Sequence, residues 1–441
     1  MAPMLISDSD INGVLKTVYA GYREKVFPLS TPLLAQMEKG KSGGAARMKW
    51  GGSGVNFDVV LSRPVGMTAS DSGYLADHAQ ATEKQATLGV KRLYVTREID
   101  GLAVVGTQSK EAAFISLAKK ILEEAKDAAR LGMQEILHGD GQGIKAVISV
   151  VNSTTSIDVI SPYGITSGGQ GGLLLDVGMV VKVLDSSAAY VTLVSATAIT
   201  AISNSGDTAT LTLGTAIAGM GAGDLIVAAS TNEGASATGS YNSYPNGLVN
   251  ITNRGGSYAS LHGITQATYP RWDATRMVAG TDTPSAAEPT ETDLWDLSAK
   301  VAGKSGKDAK SRPGEFLLMT TPGLEKKFME AVIGQRRFSP ADMMNIKGGY
   351  KAFSFNGIPL ISDTWCPAGT VYLLHTPSLF WVDAKDWGQV EFESAAAWRP
   401  ISGRDAFQTS FATYVNVGTK QRNAHGSVTG YTDTSRFSHV Q

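Results

Sequence analysis

The longest regular pattern of apolar and polar positions in this sequence lies between Ser109 and His138. Apolar or small residues recur there every three or four positions, at Phe114, Leu117, Ile121, Ala125, Ala128, Gly132 and Ile136. That spacing places them along one face of a helix, with Ser109 as a suitable N-cap and Gly139 as a suitable stop. The pattern predicts a helix about 45 Å long. It is either the surface helix of an ordinary α+β domain or a spine that spans an elongated subunit.

Alternating residues before this helix predict a long β-hairpin over residues 46–100. The apolar face of its outgoing strand comprises Val55, Phe57, Val59 and Leu61. The segment 88–97 is rich in strand-forming residues and is predicted as the return strand, with the polar segment 62–82 between the two. An isolated two-stranded ribbon is marginally stable in water. We therefore expect the hairpin to be ordered by packing against another subunit.

Residues 1–45 have the pattern of an N-terminal arm. Helical spacing links Leu15, Val18, Tyr19, Tyr22 and Val26, and Pro28 and Pro32 are predicted to break the helix. A short helix cannot bury its apolar stripe alone. The arm must therefore lie on the body of the protein or on a neighbour.

The chain changes character over residues 145–250. Short β-type runs (VVKVL, YVTLVSATAITAI, ATLTLGTAI and DLIVAAS) alternate there with turn segments. They predict a compact inserted all-β domain, a barrel or a sandwich, with residues 234–247 as its exit linker. Residues 151–250 carry six acids and one base, a net charge of −5, whereas the rest of the chain carries 38 bases and 34 acids.

Residues 251–385 have the pattern of an α/β domain. Thr290 or Thr292 is a suitable cap for a helix that runs to Ala302, and Thr321-Pro322 has the signature of a second helix start. The predicted strands lie at 315–320, 358–362, 371–374 and 379–382, and residues 335–349 form a loop. Later strands at 389–392 and 406–417 place return strands within residues 386–420. Residues 421–441 are predicted as a polar C-terminal tail.

Composition narrows the class of protein. Only 18% of the 441 residues are charged and 49 are glycine, which favours extended, turn-rich structure over helical bundles. Cys366 is the only cysteine, so no intrachain disulfide and no cysteine-based zinc site can form. The N-terminus lacks a basic start and an apolar core, and no stretch is apolar enough to span a membrane. We expect a soluble protein made in a cytosol.

No motif in the sequence supports catalysis. The GKS triplets at Lys41 and Lys304 lack the upstream glycine of a P-loop and are expected to be ordinary turns. Gly40, Ser42 and Gly44 match G-x-S-x-G by letter only, because no strand precedes them. Six histidines are scattered through the chain, at 78, 138, 262, 375, 425 and 439. We expect no enzymatic activity and assign no catalytic, cofactor-binding or metal site.

The order of parts resembles the tailed-phage major capsid proteins of the Hong Kong 97 type. Three stretches carry the resemblance: LGVKRLYVTREID at 88–100, QEILHGDGQGI at 134–144, and Phe355–Asp383 with its Gly-Ile-Pro strand and Pro-Ala-Gly turn. The resemblance covers nearly the whole chain outside residues 145–250. It implies an α+β, Hong Kong 97-like capsid fold. Residues 1–45 would be the arm, 46–100 the extended loop, 101–144 and 386–420 the peripheral domain, and 251–385 the axial domain.

The resemblance also implies a function. Proteins of this family form hexamers and pentamers that tile the icosahedral head of a virion around double-stranded DNA, contacted non-specifically, and they assemble in the bacterial cytoplasm. Expected partners are further copies of the chain, a portal and decoration proteins. Because the arm begins almost at Met1, we expect a separate scaffolding protein. Some members of the family cross-link through a lysine of the loop; Lys84 and Lys91 lie in that region, but no acceptor matches and neither is assigned that role. The acidic insertion is expected to face outward.

Two alternatives remain from the sequence. An encapsulin-like nanocompartment shell has the same fold but houses an enzyme cargo. A β-rich adhesin or tail protein would use the insertion as a binding module, but Tyr190 is an isolated aromatic residue there.

Overall fold

The computed structural model describes most of the chain, in ranges that leave gaps near both ends and in several loops. The described residues are 32–38, 46–49, 54–67, 77, 80–100, 117–163, 165, 171–187, 190–193, 196–230, 233, 236–333, 343–345, 351–390 and 398–433. The predicted helix at 15–26 and most of the loop at 335–349 lie outside these ranges.

The helices within the described residues are α1 (Pro32–Glu38), α2 (Leu117–His138), α3 (Leu248–Ile251), α4 (Glu291–Ser305) and α5 (Pro322–Ile333). The strands are β1 (Ala46–Lys49), β2 (Val55–Val60), β3 (Glu83–Leu88), β4 (Lys91–Asp100), β5 (Ile144–Val151), β6 (Ser156–Ile160), β7 (Val180–Asp185), β8 (Val191–Thr192), β9 (Thr197–Ser205), β10 (Thr208–Leu213), β11 (Leu225–Ala228), β12 (Ser260–Leu261), β13 (Ile264–Thr265), β14 (Thr275–Val278), β15 (Phe316–Thr320), β16 (Met343–Asn345), β17 (Lys351–Phe355), β18 (Ile358–Ser362), β19 (Val371–His375), β20 (Leu379–Gln389), β21 (Arg399–Pro400), β22 (Ala406–Thr419) and β23 (Gly426–Thr429).

A five-stranded sheet and α2 form the peripheral part of the molecule. Its strand order is β1-β20-β22-β21, and β4 also pairs with β22 in antiparallel register over its full length. A buried cluster joins this sheet to α1, α2 and the seven-stranded sheet that contains β15 and β19. Its members include Leu34, Leu93, Met133, Leu374, Trp381 and Val417. Because this core is continuous, the spine helix and the two sheets form one packed unit.

A mixed seven-stranded sheet organises the axial part, in the order β14-β23-β19-β15-β18-β17-β16. α4 and α5 contribute Leu297, Val301, Leu324 and Phe328 to a second core with the side chains of this sheet. α4 starts at a capping box in which Thr290 and Asp293 each accept a hydrogen bond from the other's backbone N–H. It ends at Gly306, whose φ of 70° is a left-handed conformation that favours glycine.

The insertion is a closed β-barrel. Six strands pair in the order β11-β5-β6-β10-β9-β7, and β11 pairs again with β7, which closes the sheet; β8 extends it beside β7. Alternating side chains fill the interior, including Ile148, Val159, Val183, Ile199 and Leu211. Closure pairs the backbone groups that an open sheet would leave at its edges. The sequence did not distinguish a barrel from a sandwich, and the strand pairing shows that this domain is a barrel.

The hairpin differs from its prediction. β2 pairs with the polar strand β3, which shares only Leu88 with the predicted return strand at 88–97. Residues 91–100 instead form β4 in the peripheral sheet. The strand-forming residues of that segment thus find a long partner far away in the chain, and the return strand of the hairpin is the polar segment EKQATL.

The spine helix differs in its buried face. The apolar residues buried along the described side chains of α2 are Ala125, Ala129, Met133, Ile136 and Leu137, whereas Ala128 and Gly132 are only half-buried. The 22 residues of α2 correspond to about 33 Å. Ser109 and Phe114 lie outside the described residues.

Two predictions concern the chain's ends. Pro32, predicted to break the preceding helix, is the first residue of α1, where its missing N–H costs no hydrogen bond; the preceding helix lies outside the described residues. Residues from 421 onward were expected to form a polar tail. Instead β23 lies buried in the axial sheet between β14 and β19, because its small side chains fit against α4.

Candidate assembly surfaces

The extended hairpin is a two-stranded sheet that pairs with no other strand in the described part of the chain. β2 and β3 pair in antiparallel register from Val55–Leu88 to Val60–Glu83. Exposure alternates along β2, so that Asn56, Asp58 and Val60 face solvent, as the sequence pattern predicted.

The base of the hairpin is fixed to its own subunit. The Phe57 ring packs edge-on against Phe380, with 5.3 Å between centroids, and lies 5.8 Å from the His262 ring. Beside these rings a buried cluster comprises Leu61, Ala86, Ile264 and Trp272. The expectation that only a neighbouring subunit orders the hairpin was therefore wrong for its base.

The outer part of the hairpin presents apolar side chains to solvent. Val60 and Val65 are 61% and 59% exposed, and Met67 is fully exposed. Scattered apolar residues are normal on a protein surface, and these three lie within eight positions of one another on the hairpin.

A second aromatic surface lies on the peripheral sheet. Tyr94 on β4 is 55% exposed and packs edge-on against Tyr414 on β22, with 6.4 Å between ring centroids. The Arg92 guanidinium lies 5.9 Å from the centre of the Tyr414 ring. Phe407 is exposed further along β22. Tyrosine, phenylalanine and arginine are enriched in protein interfaces.

Buried polar contacts join the arm, the spine and the axial sheet. The Leu34 N–H donates to Gln134 Oε1 at 2.9 Å. The Gln134 amide in turn donates to Asp363, and His138 Nε2 lies 2.9 Å from the same carboxylate oxygen. These hydrogen bonds fix α1, α2 and the segment after β18 in position relative to one another.

Arg422 is a second buried junction. Its guanidinium donates to the carbonyl oxygens of Asn250, Ile251 and Tyr258 and lies 3.9 Å from Asp273. Burial lowers the pKa of Arg422 to about 10, and Asp273 partly opposes that shift. Sequence reasoning missed this residue because the carbonyl groups that it binds lie more than 160 positions away.

Three of the six histidines come together around Thr419. The Thr419 N–H donates to His262 Nε2 at 3.2 Å, and the Thr419 hydroxyl lies 2.8 Å from His425 Nε2. The backbone N–H of His375 donates to His425 Nδ1. Burial, together with the charge of Arg422, lowers the pKa of His262 and of His425 to about 3, so both rings are neutral at pH 7. Within the described ranges no three His, Cys, Asp or Glu side chains are placed to hold a metal ion.

The other residues considered from the sequence lie apart. Lys304 is in the last turn of α4, not in the loop that was expected. Cys366 is buried, and burial raises the pKa of its thiol far above the ordinary range. The Lys91 ammonium donates to the Asn242 carbonyl at 2.7 Å, whereas Lys84 is exposed on β3. The motif residues at 40–44, His78 and His439 lie outside the described residues.

Together these elements define the Hong Kong 97-like capsid fold. The hairpin, the spine helix, the barrel and the axial sheet follow one another in the predicted order, and strands from both halves of the chain form the peripheral sheet. The predicted fold class is confirmed.

The comparisons with known proteins agree on the fold. The chain is similar to a protein of the cyanophage A-1(L) capsid asymmetric unit, with a TM-score of 0.57 and 12% identity over 96% of this chain and 98% of that one. It is also similar to the capsid of a native GTA particle (TM-score 0.49, 8% identity, 97% and 99% covered) and to the SrpI encapsulin of Synechococcus elongatus (0.47, 7%, 99% and 100%). The fold assignment rests on the first of these. No protein-family model and no curated protein matches the sequence.

Proposed function

We propose that this chain is the major capsid protein of a tailed bacteriophage, and that it assembles into the hexamers and pentamers of an icosahedral head. The observation that carries the proposal is the likeness to a cyanophage capsid chain over nearly the full length of both proteins. In this proposal the protein has a structural role in the virion and no catalytic one.

The exposed surfaces support this function physically. The hairpin carries Val65 and Met67 beyond Leu61, the last residue of its base that packs on its own subunit. Burying such side chains against a neighbour would contribute about 1.5–3 kcal/mol each. Stability would then come from many repeated contacts, as in an assembled shell.

The insertion supports an orientation of the subunit. Residues 151–250, which include most of the barrel, carry a net charge of −5, whereas the rest of the chain is mildly basic. Packaged DNA repels acidic surfaces. The barrel would therefore face outward, where a decoration protein could bind. A scaffolding protein, a portal and non-specific contact with double-stranded DNA complete the proposed partners.

The test is expression of the chain in bacteria, alone and with a candidate scaffolding protein, followed by gradient sedimentation and negative-stain electron microscopy. The proposal expects uniform closed shells in at least one condition. A protein that stays monomeric at every concentration and with scaffold present would contradict it. The membrane is not an expected partner, and no helix in the described part of the chain is long and apolar enough to cross one.

A further inference from the structure

A basic cleft lies between the base of the hairpin and the axial part. Its volume is about 630 Å³. Five cations line it, each from a different position on the hairpin, the axial helices or the end of β22: Arg63, Arg271, Lys304, Lys307 and Lys420. Asp58 is the one carboxylate among the lining residues. We call this site the basic edge cleft.

The cations of the basic edge cleft are not neutralised within the subunit. None of the five lies within 4.0 Å of a carboxylate oxygen in the described part of the chain. Burial lowers the pKa of Lys304, and Arg276 adds to that shift while Asp273 opposes it. Uncompensated positive charges that share one concave surface favour an anionic ligand.

A free strand edge forms one wall of the cleft. The Thr87 N–H donates to the His262 carbonyl, outside the hairpin, so Thr87 and its partner Asn56 are a non-hydrogen-bonded pair of the antiparallel ladder. Bonded and non-bonded pairs alternate, so the backbone N–H and C=O groups of Asp58 and Val60 point away from β3. Within the described residues β2 pairs with β3 alone. The edge that faces the cleft can therefore accept another strand.

A buried donor in the same wall also lacks a partner. Trp272 lines the cleft and is only 2% exposed, and its indole Nε1–H has no hydrogen-bond acceptor in the described residues. A buried polar group without a partner is costly. This N–H is itself buried, so it is a local energetic cost within the wall and is not an argument for a ligand.

We propose that the basic edge cleft binds an extended acidic peptide segment, which adds as a strand to the free edge of β2 and sets its carboxylates against the five cations. Strand addition uses the bare N–H and C=O groups of the edge, and side chains at every second position then face the same side. The ligand is thus a segment with acidic residues at alternate positions.

Duplex DNA fits these features less well. A cleft of this volume matches the size of small-ligand pockets, whereas protein–DNA interfaces extend over about 1,000 Å² or more. DNA also has no backbone that could pair with a strand edge. The proposal does not depend on shell formation, because it concerns a site within a single subunit.

The test uses the unassembled full chain and a fluorescently labelled peptide of about eight residues that alternates threonine and glutamate. Fluorescence anisotropy at low salt measures its binding. The uncharged control peptide alternates threonine and glutamine. A DNA duplex of about 20 base pairs is the third probe. The glutamate peptide is expected to bind at least about tenfold more tightly than the glutamine peptide and to weaken as salt rises.

Three variants separate the two parts of the site. Lys304→Gln with Lys307→Gln removes two cations and should weaken glutamate-peptide binding by about tenfold, a loss typical of two exposed ion pairs. Val60→Pro removes one outward N–H of an edge strand, where proline is tolerated, and should weaken it similarly. Lys326→Gln removes an exposed lysine that does not line the cleft and should leave binding unchanged.

Two results would overturn the proposal. One is peptide binding that is equally strong in the lysine double variant and the Lys326 control. The other is tighter binding of the DNA duplex than of the glutamate peptide, together with loss of DNA binding in the lysine double variant. That result would make the cleft a nucleic-acid surface. Unchanged thermal unfolding of each variant establishes that the fold is intact.

Discussion

Met67 offers the most direct test of the hairpin's role between subunits. Its side chain is fully exposed, so Met67→Ser removes no contact within the subunit. Full burial of a methionine against a neighbour contributes about 1.5–3 kcal/mol. Since every 1.4 kcal/mol is a factor of ten, losing it should raise the protein concentration needed for assembly by about 10- to 100-fold per contact.

Light scattering across a concentration series measures that threshold, and thermal unfolding of the unassembled chain measures stability. Met67→Ser should shift the threshold and leave the melting temperature unchanged. The control is Val177→Ser, which removes an exposed apolar side chain from the barrel. An unchanged threshold in Met67→Ser, or an equal shift in the control, would refute the assignment of the outer hairpin to a subunit contact.

Three further predictions concern the fold itself. Arg422→Met leaves three buried carbonyl oxygens without their donor and should cost about 3–5 kcal/mol in chemical denaturation. Folding lowers the pKa values of His262 and His425 to about 3, so below pH 6.5 the unfolded chain binds more protons at these two rings than the folded chain does. The contribution of the two neutral rings to the free energy of unfolding is complete above about pH 6.5. It is lost as the pH falls toward 3, with a slope of up to about 1.4 kcal/mol per pH unit for each ring. Thr290→Ala should cost about 1 kcal/mol through the lost cap, whereas the exposed Thr292→Ala should cost little.

Each of these predictions has a clear contrary outcome. Arg312→Gln removes an exposed arginine paired with Glu315 and should change stability by less than about 1 kcal/mol. Equal losses in this control and Arg422→Met would argue against the buried junction. For the histidines, the double variant His262→Gln, His425→Gln should flatten the fall in stability between pH 6.5 and 3. An unflattened profile would assign that fall to other groups.

Local patterns predicted the elements that depend on local physics. The alternation along β2 and the Thr321-Pro322 helix start both reappear, with the Leu324 N–H donating to the Thr321 hydroxyl. The capping box at Thr290 resolved the choice that the sequence left between two threonines. Turns and caps involve residues a few positions apart, and their spacing is therefore visible in the sequence.

Long-range pairing explains what the sequence could not predict. β4 finds its partner β22 more than 300 residues later, so its strand-forming residues were assigned to the hairpin instead. β23 is short and built of small residues, and its place in the axial sheet depends on neighbours that no local pattern indicates. The same holds for Arg422 and for the basic edge cleft, whose lining residues come together only in the fold.

The most direct test of the proposed function is a cryo-electron microscopy reconstruction of particles assembled from this chain. The account predicts a closed icosahedral shell in which residues 55–88 of each subunit extend over a neighbour and the barrel at residues 144–228 lies on the outer surface. Particles with the barrel on the inner surface would contradict the proposed orientation. A hairpin that touches only its own subunit would contradict the assembly mechanism itself.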